Sequence, residues 1–319
     1  MRRRDFLGAL GAGLAAAAVP RGLLGSARRP VARGRGGEVY VERWSWAMGQ
    51  PVHLQLFAAS EAAGYDAAQA ALAELRRVEG VLSRFDDASE LAELNRRAGR
   101  SRLAAGPDLM AVLGAAVRFE RATGGAFDAA VEPLMRAWGF HAPRTTEPTA
   151  AELAEARAAV RAARIELADG RAALSGREAQ LDLGGIGVGY GLDCAAGVLR
   201  QAGIRRAFLD VSGDCLALEA PPGESGWRVD VADPGRPGAT IASTRLRNAA
   251  LATSSNLVSV VRYGKAVRGH VMDPGTGWPA DRCRQVTVVA RTGLEADALS
   301  TAALVSPQPL GLVLRSWVV

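Results

Sequence analysis

Residues Gln180 to Asp193 read QLDLGGIGVGYGLD, which predicts a short apolar strand, a glycine-rich turn and the start of a helix. Five glycines, at positions 184, 185, 187, 189 and 191, follow Asp182. Glycine permits positive φ and lets bare backbone approach a ligand, so such a junction can hold a phosphate or a cation. The spacing does not match the G-x-G-x-x-G pattern of dinucleotide-binding folds. Tight packing at a strand-to-helix turn explains the same glycines without a ligand.

The charge distribution argues against a nucleic-acid-binding protein. The chain has 319 residues and a formal net charge of +6. Residues 1–36 carry eight arginines and the single acid Asp5, a net +7, which leaves −1 for residues 37–319. The three cysteines are widely spaced and form no metal-type pair. A hydrophobic fraction of 49% is that of a globular protein with a sizeable core.

The first 36 residues predict an export signal followed by a linker. An arginine cluster precedes an apolar run that begins at Phe6 and is too short for a comfortable membrane span. Arg3-Arg4 followed by Asp-Phe-Leu resembles a twin-arginine signal. We therefore expect an exported protein, located in the periplasm or on the outer face of the cytoplasmic membrane, that contacts the membrane only through an uncleaved leader.

Helical and strand patterns alternate along residues 37–319 without a regular βαβ rhythm. Glu61 to Leu82 is a strongly amphipathic helix, and Ser89 is placed to cap the next one. Asp169-Gly170 predicts a hairpin turn, and residues 227–290 are mostly strand-like. This mixture favours an α+β fold with mixed or antiparallel sheets and flanking helices over a Rossmann domain.

Two further stretches contain residues suited to chemistry. Asp297 and Thr301 lie four apart in EADALSTAAL, so a helix presents both on one face, as hard oxygen ligands suited to Mg²⁺. Taken alone, the pair is better explained by a solvated Asp and a Thr bonded back to its own helix. His270 precedes Asp273-Pro274-Gly275-Thr276-Gly277, a tight turn whose amides could face an anion.

Seven blocks of the sequence, taken in chain order, resemble segments of the ApbE family of FAD:protein FMN transferases. The resemblance runs from about Met48 to about Val305 and includes LSRFDDASELAELN, GGAFDAAVEPLMRAWGF, LDLGGIGVGYGLD, LDVSGD, ALATSSN, GHVMDPGTGWP and EADALSTAAL. It implies one ApbE-like, T-fold-related catalytic unit over residues 37–319. The ordered set is specific, whereas no single block would be.

The resemblance also implies the site residues. FAD contacts are expected at Met48, Phe85, Ala126, Phe127, Asp128, Asp182, Val188 and Val271. Magnesium would be held by the main-chain oxygen of Gly185 and the side chains of Asp297 and Thr301, with Ser300 as a weaker candidate. His270 and Asp273 would lie near the reacting phosphate as candidate catalytic residues, and the sequence does not choose between them.

Four departures from the family pattern are present. Val188 stands where a lysine or another polar residue is common, and Phe85 replaces a tyrosine. Ser212 replaces a glycine in a Gly-Gly-Asp turn, which is expected to tighten or shift that turn. The chain ends at PLGLVLRSWVV, so we expect an incomplete sheet edge.

The resulting hypothesis is an exported, Mg²⁺-dependent enzyme that transfers the FMN part of FAD to a threonine of a partner flavoprotein and releases AMP. Two alternatives share the same residues. One is an FAD pyrophosphatase that yields FMN and AMP, and the other is an exported FAD-binding protein without catalysis.

Overall fold

The computed structural model describes residues 37–306 and 313–319. The predicted export signal and linker, residues 1–36, lie outside the described residues. Within the described ranges, no helix is long and apolar enough to cross a membrane.

The described residues form one large antiparallel sheet and three small ones. Strands β1 to β14 are, in chain order, Val39–Ala47, Gln50–Ala58, Leu103–Ala104, Ile165–Ala168, Arg171–Leu174, Arg206–Val211, Asp214–Ala217, Trp227–Ala232, Thr240–Leu246, Ala249–Ser255, Val260–Tyr263, Ala266–Gly269, Gln285–Ala290 and Arg315–Val318. The large sheet has the order β1-β2-β6-β7-β10-β13-β14, with every neighbouring pair antiparallel. Strands β3-β5-β4 form a second sheet, and β8-β9 and β11-β12 are two-stranded. The predicted α+β fold is confirmed.

Seven helices accompany these strands in the described ranges. Helices α1 to α7 are Glu61–Leu82, Glu90–Arg96, Pro107–Ala122, Glu132–Ala137, Ala150–Ala162, Gly187–Gln201 and Gly293–Val305. Ser89 accepts a hydrogen bond from the amide of Ala92, as its predicted capping role requires. Thr149 and Thr292 each form a capping box with the glutamate three residues later.

Helices and a β-hairpin cover opposite faces of the large sheet. Leucine, valine and alanine side chains of β1, β2 and β6 pack against those of α1 and α6 in one buried cluster. On the other face, Trp227 of the β8-β9 hairpin stacks on Phe208, with ring centroids 5.6 Å apart. Phe208 of the sheet and Val229 of the hairpin line the same cavity.

The short strand predicted at the start of Gln180 to Asp193 is wrong. The residues before the glycines are not a strand, because the backbone of Leu181 bonds to the side chain of Asn95, at 2.8 and 3.0 Å. The amide of Asp182 donates to the carbonyl of Ala129 instead of to a strand neighbour. None of the five glycines has positive φ, and the helix begins at Gly187. These glycines therefore serve close approach rather than unusual backbone torsion.

Two of the four departures from the family pattern, the short C-terminus and Ser212, led to expectations that the structure tests. The sheet edge beyond β13 is occupied, because Arg315–Val318 pairs with it as β14, so the expected incomplete edge is wrong. Ser212 takes the left-handed conformation, with φ of 51°, at the position that the family pattern gives to glycine. The turn between β6 and β7 is therefore kept without a glycine at that position.

Helices α6 and α7 cross with their backbones in contact. A Cβ atom on Gly189 would lie 2.1 Å from the carbonyl oxygen of Gly293, and one on Gly293 would lie 2.4 Å from that of Gly189. A backbone oxygen cannot move aside as a flexible side chain can. The two glycines therefore set the distance between the helices.

We expect Gly189→Ala to lower the free energy of unfolding by at least about 2 kcal/mol, because the new methyl group forces the helices apart. Urea denaturation measures the change. Gly197→Ala is the matched control, since it lies in the same helix with no atom within 4 Å of its added Cβ. That control should gain about 0.5–1 kcal/mol from helix propensity. Equal stability of the two variants would contradict the packing argument.

Candidate functional site

A cavity of about 660 Å³ opens between the large sheet, the β8-β9 hairpin and the loops that precede α4 and α6. This volume is typical of a small-molecule site. Eleven of the thirteen predicted site residues line it: Phe85, Ala126, Phe127, Asp128, Asp182, Gly185, Val188, His270, Val271, Asp297 and Thr301. Met48 and Asp273 do not.

The three predicted metal ligands meet at one end of the cavity. Gly185 lies directly against Thr301, since a Cβ on the glycine would be 2.9 Å from the threonine Oγ1. Asp297 is 4% exposed and accepts a hydrogen bond of 2.9 Å from the amide of Gly189. Ser254 of β10 contacts the hydroxyls of Ser300 and Thr301, at 2.8 and 3.2 Å.

Asp214 was not among the predicted site residues, but it also lines this part of the cavity. Burial raises the pKa of Asp214 to about 7, although the amide of Thr253 donates to its carboxylate. Burial and the charge of Asp214 together raise the pKa of Asp297 well above its usual range. The LDVSGD block contained this residue, but only the three-dimensional structure brings it to Asp297.

The donor set fits a hard divalent cation. A main-chain oxygen, a carboxylate and a hydroxyl are the oxygen ligands that Mg²⁺ prefers, and Mg²⁺ usually keeps several waters or phosphate oxygens. A cation here would also offset the repulsion between Asp214 and Asp297. Across residues 37–306 and 313–319, no three His, Cys, Asp or Glu side chains cluster as a metal site. The predicted site therefore depends on Gly185 and Thr301 as well as on its carboxylate.

The two candidate catalytic residues have different surroundings. His270 lines the cavity, and its buried Nδ1 has no hydrogen-bond partner. Burial lowers the pKa of His270, so the imidazole is neutral and able to accept a proton at neutral pH. Asp273 lies outside the cavity lining, and its Oδ1 accepts hydrogen bonds from the amides of Gly275 and Thr276. The structure thus favours His270 and gives Asp273 a role within its own turn.

The aromatic residues predicted to contact flavin differ in exposure. Phe85 is 71% exposed at the cavity mouth, with the Arg84 guanidinium 4.7 Å from the ring centroid. Phe127 is only 3% exposed and packs edge-on against Phe119, so its ring belongs to the core. The Phe127 ring is therefore not exposed as a stacking surface, although the residue still forms part of the cavity wall.

Met48 lies in the turn between β1 and β2 with φ of 56°, and its amide donates to Glu79 at 2.9 Å. Its thioether approaches Gly191, where an added Cβ would lie 3.5 Å from the sulfur. Met48 thus packs on helix α6 instead of lining the cavity.

A second group that the sequence analysis missed surrounds His141, which lines the cavity beside Asp182. The buried Glu132 lies next to His141, and Arg84 pairs with Glu132. His141 directly follows the apolar Trp138-Gly139-Phe140 block. The chain has only three histidines, and this rarity was the one feature of the sequence that could have marked His141 as a candidate.

Comparisons with known proteins point to one family. A model of the ApbE family matches residues 48–315. An FAD:protein FMN transferase of Haemophilus influenzae is 30% identical over 245 residues, which are 72% of this chain and 70% of that protein. One from Treponema pallidum is 28% identical and covers 85% of this chain and 80% of its own.

Solved structures show the same architecture. The ApbE protein of Thermotoga maritima superposes with a TM-score of 0.77 at 27% identity, covering 83% of this chain and 86% of that one. The flavin transferase ApbE of Vibrio cholerae gives a TM-score of 0.72 at 25% identity, covering 84% and 87%.

Asp128 provides a pH-dependent prediction. Burial raises its pKa to about 6 from 3.8, so the folded state binds this proton more tightly than the unfolded state does. The ionised carboxylate therefore costs stability as pH rises through 6. We expect Asp128→Asn to be more stable than the wild type by about 1–3 kcal/mol at pH 7.5, and the difference to shrink toward zero as pH falls to 4.

Urea unfolding across this pH range measures the effect, and Asp86→Asn serves as control. Asp86 accepts the same type of hydrogen bond, from the amide two residues on, in an exposed loop. A similar pH-dependent gain in both variants would contradict the burial argument.

Proposed function

The chain belongs to the ApbE family, and we propose that it is an FAD:protein FMN transferase that requires Mg²⁺ and modifies a threonine hydroxyl of a partner flavoprotein. AMP is the second product. The flavin is the transferred group, so the reaction involves no change of redox state.

The convergence of Gly185, Asp297 and Thr301 at one end of the cavity carries this proposal. Gly185 is distant in sequence from Asp297 and Thr301, which share helix α7, yet all three residues are adjacent in the fold. Their oxygens suit a metal that accompanies a pyrophosphate. His270, a neutral imidazole, lines the same cavity. The cavity is large enough for most of an extended ligand, and the rest of such a ligand would lie at the open mouth, near Phe85.

Gly185, Asp297 and Thr301 are the residues that would hold Mg²⁺. When bound, the metal neutralises negative charge on the pyrophosphate and so favours attack at phosphorus. The amides of helix α6 hold the Asp297 carboxylate in place, so this ligand is oriented before substrate arrives.

The residues of the chain position the substrates and accept one proton. The threonine oxygen attacks the FMN-side phosphorus, and the bond from that phosphorus to the bridging oxygen breaks. The bridging oxygen leaves with AMP. His270 accepts the proton of the threonine hydroxyl, which a neutral imidazole can do near pH 7. Val188, Val271 and Phe127 give the cavity an apolar part of its wall.

The first test incubates the leaderless protein with FAD and Mg²⁺, with and without an acceptor domain that carries a threonine. Wild-type protein should produce AMP and a fluorescent acceptor band. Asp297→Asn and His270→Asn should each lower transfer by about 100-fold or more. Asp273→Asn is the control, since its remaining Oδ1 keeps the turn hydrogen bonds, and it should retain most activity.

Other outcomes of this test would overturn the proposal. AMP and free FMN without a labelled acceptor would indicate an FAD pyrophosphatase. Tight FAD binding without AMP would indicate a protein that only holds the flavin. If Asp273→Asn were as inactive as His270→Asn, the assignment of His270 as the proton acceptor would be contradicted.

We also propose export through the twin-arginine route, which the Arg3-Arg4-Asp5-Phe6-Leu7 sequence and its apolar continuation support. Arg3→Lys with Arg4→Lys keeps the positive charge but removes the guanidinium groups. We expect this double variant to remain in the cytoplasm, as measured by cell fractionation and immunoblotting. Replacement of Arg28 and Arg29 by lysine is the matched control and should leave export unchanged. Equal export of both variants would exclude the twin-arginine route.

A further inference from the structure

A largely buried charged cluster lies against the cavity wall, and Asp182 and His141 form part of the lining. It comprises Glu132, Arg84, Arg136, His141 and Asp182. The side chain of Glu132 is only 1% exposed, and those of Arg84 and His141 are 13% and 11% exposed. Charged side chains are seldom buried this far unless they are paired.

Glu132 is held firmly from behind. Its Oε1 lies 2.5 Å from Arg84 Nη2 and 3.1 Å from Arg136 Nη2. Burial acts to raise the pKa of Glu132, but His141, Arg136 and Arg84 lower it further than burial raises it. Glu132 is therefore an ionised and immobile anchor outside the cavity lining.

His141 stands between this anchor and the cavity. Its Nδ1 is 3.6 Å from Glu132 Oε1, and its Nε2 is 3.6 Å from Asp182 Oδ2. Asp182 lines the cavity, and its other oxygen accepts a 2.7 Å hydrogen bond from the amide of Gly184. One oxygen of Asp182 is thus fixed by its own loop, while the other faces the imidazole.

The cluster has room to tighten. The buried Nδ1 of His141 and Nε of Arg84 have no hydrogen-bond partner, although a carboxylate lies slightly beyond reach of each. A movement of less than about 1 Å would bring each of these buried atoms within hydrogen-bonding distance of a carboxylate. His141 Nε2 and Arg84 Nε both face Asp182 Oδ2, at 3.6 and 3.8 Å, and Arg84 is in addition held by Glu132 through Nη2.

We infer that His141 is a positioning residue that holds the Asp182 carboxylate toward bound FAD, with Glu132 fixing the imidazole from behind. The inference rests on the proposed function, because that function makes FAD the ligand of Asp182. The exposed ring of Phe85 meets His141 edge-on, with centroids 5.7 Å apart, so a ligand at the mouth contacts both Phe85 and the Asp182 side of the cluster. His141 acts through Asp182 and is not itself a catalytic residue.

Two amide substitutions test this role. His141→Gln extends an N–H group to about the position of Nε2, whereas the shorter His141→Asn does not reach it. We expect His141→Asn to weaken FAD binding about tenfold, as the loss of a supporting residue typically does, and His141→Gln to recover most of it. Titration of FAD fluorescence measures the affinity, and thermal unfolding of each variant checks the fold.

Combination with Asp182→Asn separates positioning from simple packing. Once the carboxylate is gone, His141→Asn should weaken binding by less than about twofold further. His53→Asn is the matched control, since His53 also contacts a glutamate, at 2.7 Å from Glu42, but does not line the cavity. His141→Phe keeps a ring without nitrogens and serves as a second loss variant if the Asn substitution unfolds the protein.

The inference is overturned if His141→Asn and His141→Gln bind FAD equally well, or if the losses of the two single variants multiply in the double variant. FAD binding is measured without an acceptor protein. A wild type that binds FAD but transfers nothing would therefore refute the proposed function, and the comparison of the single and double variants at His141 and Asp182 would still decide this inference. A wild type that binds no FAD would refute both.

Discussion

The crossing of helices α6 and α7 is the constraint on which the candidate site depends. Gly189 and Gly293 bring the two backbones into contact, and each helix places a carboxylate on the other's first amides. Asp297 accepts from the amide of Gly189, while Asp193 accepts from those of Gly293 and Leu294. Negative charge at a helix N-terminus is favourable, so the exchange stabilises the crossing from both sides. It also holds Asp297 in a single orientation beside the cavity.

The electrostatics of the site act against the stability of the fold. Asp214 and Asp297 lie close enough to repel each other, and burial raises the pKa of both. Burial also raises the pKa of Asp128, at another part of the cavity wall. A chain selected only for stability would replace such groups with amides or apolar side chains. Their presence in one cavity therefore supports a site that binds a cation together with a polar ligand.

Elements specified by local interactions could be predicted from the sequence. The Glu61–Leu82 helix, the Ser89 cap and the Asp169-Gly170 turn depend on residues close together in the chain, and each was predicted at its observed place. The apolar QLDL segment was not, because its backbone partners, Asn95 and Ala129, are distant in sequence. Periodicity cannot tell such an extended segment from a strand.

By itself, the sequence determined the α+β class, the order of the family blocks and eleven residues that line the cavity, because motif spacing and residue chemistry are visible in one dimension. Only the tertiary structure showed that Met48 and Asp273 lie outside the cavity lining, that the Phe127 ring is buried, and that Asp214 and His141 line the cavity. These outcomes depend on which side chains meet across the sheet and between helices. Burial and hydrogen bonding to distant residues decide whether a given carboxylate or imidazole supports a turn or faces a ligand.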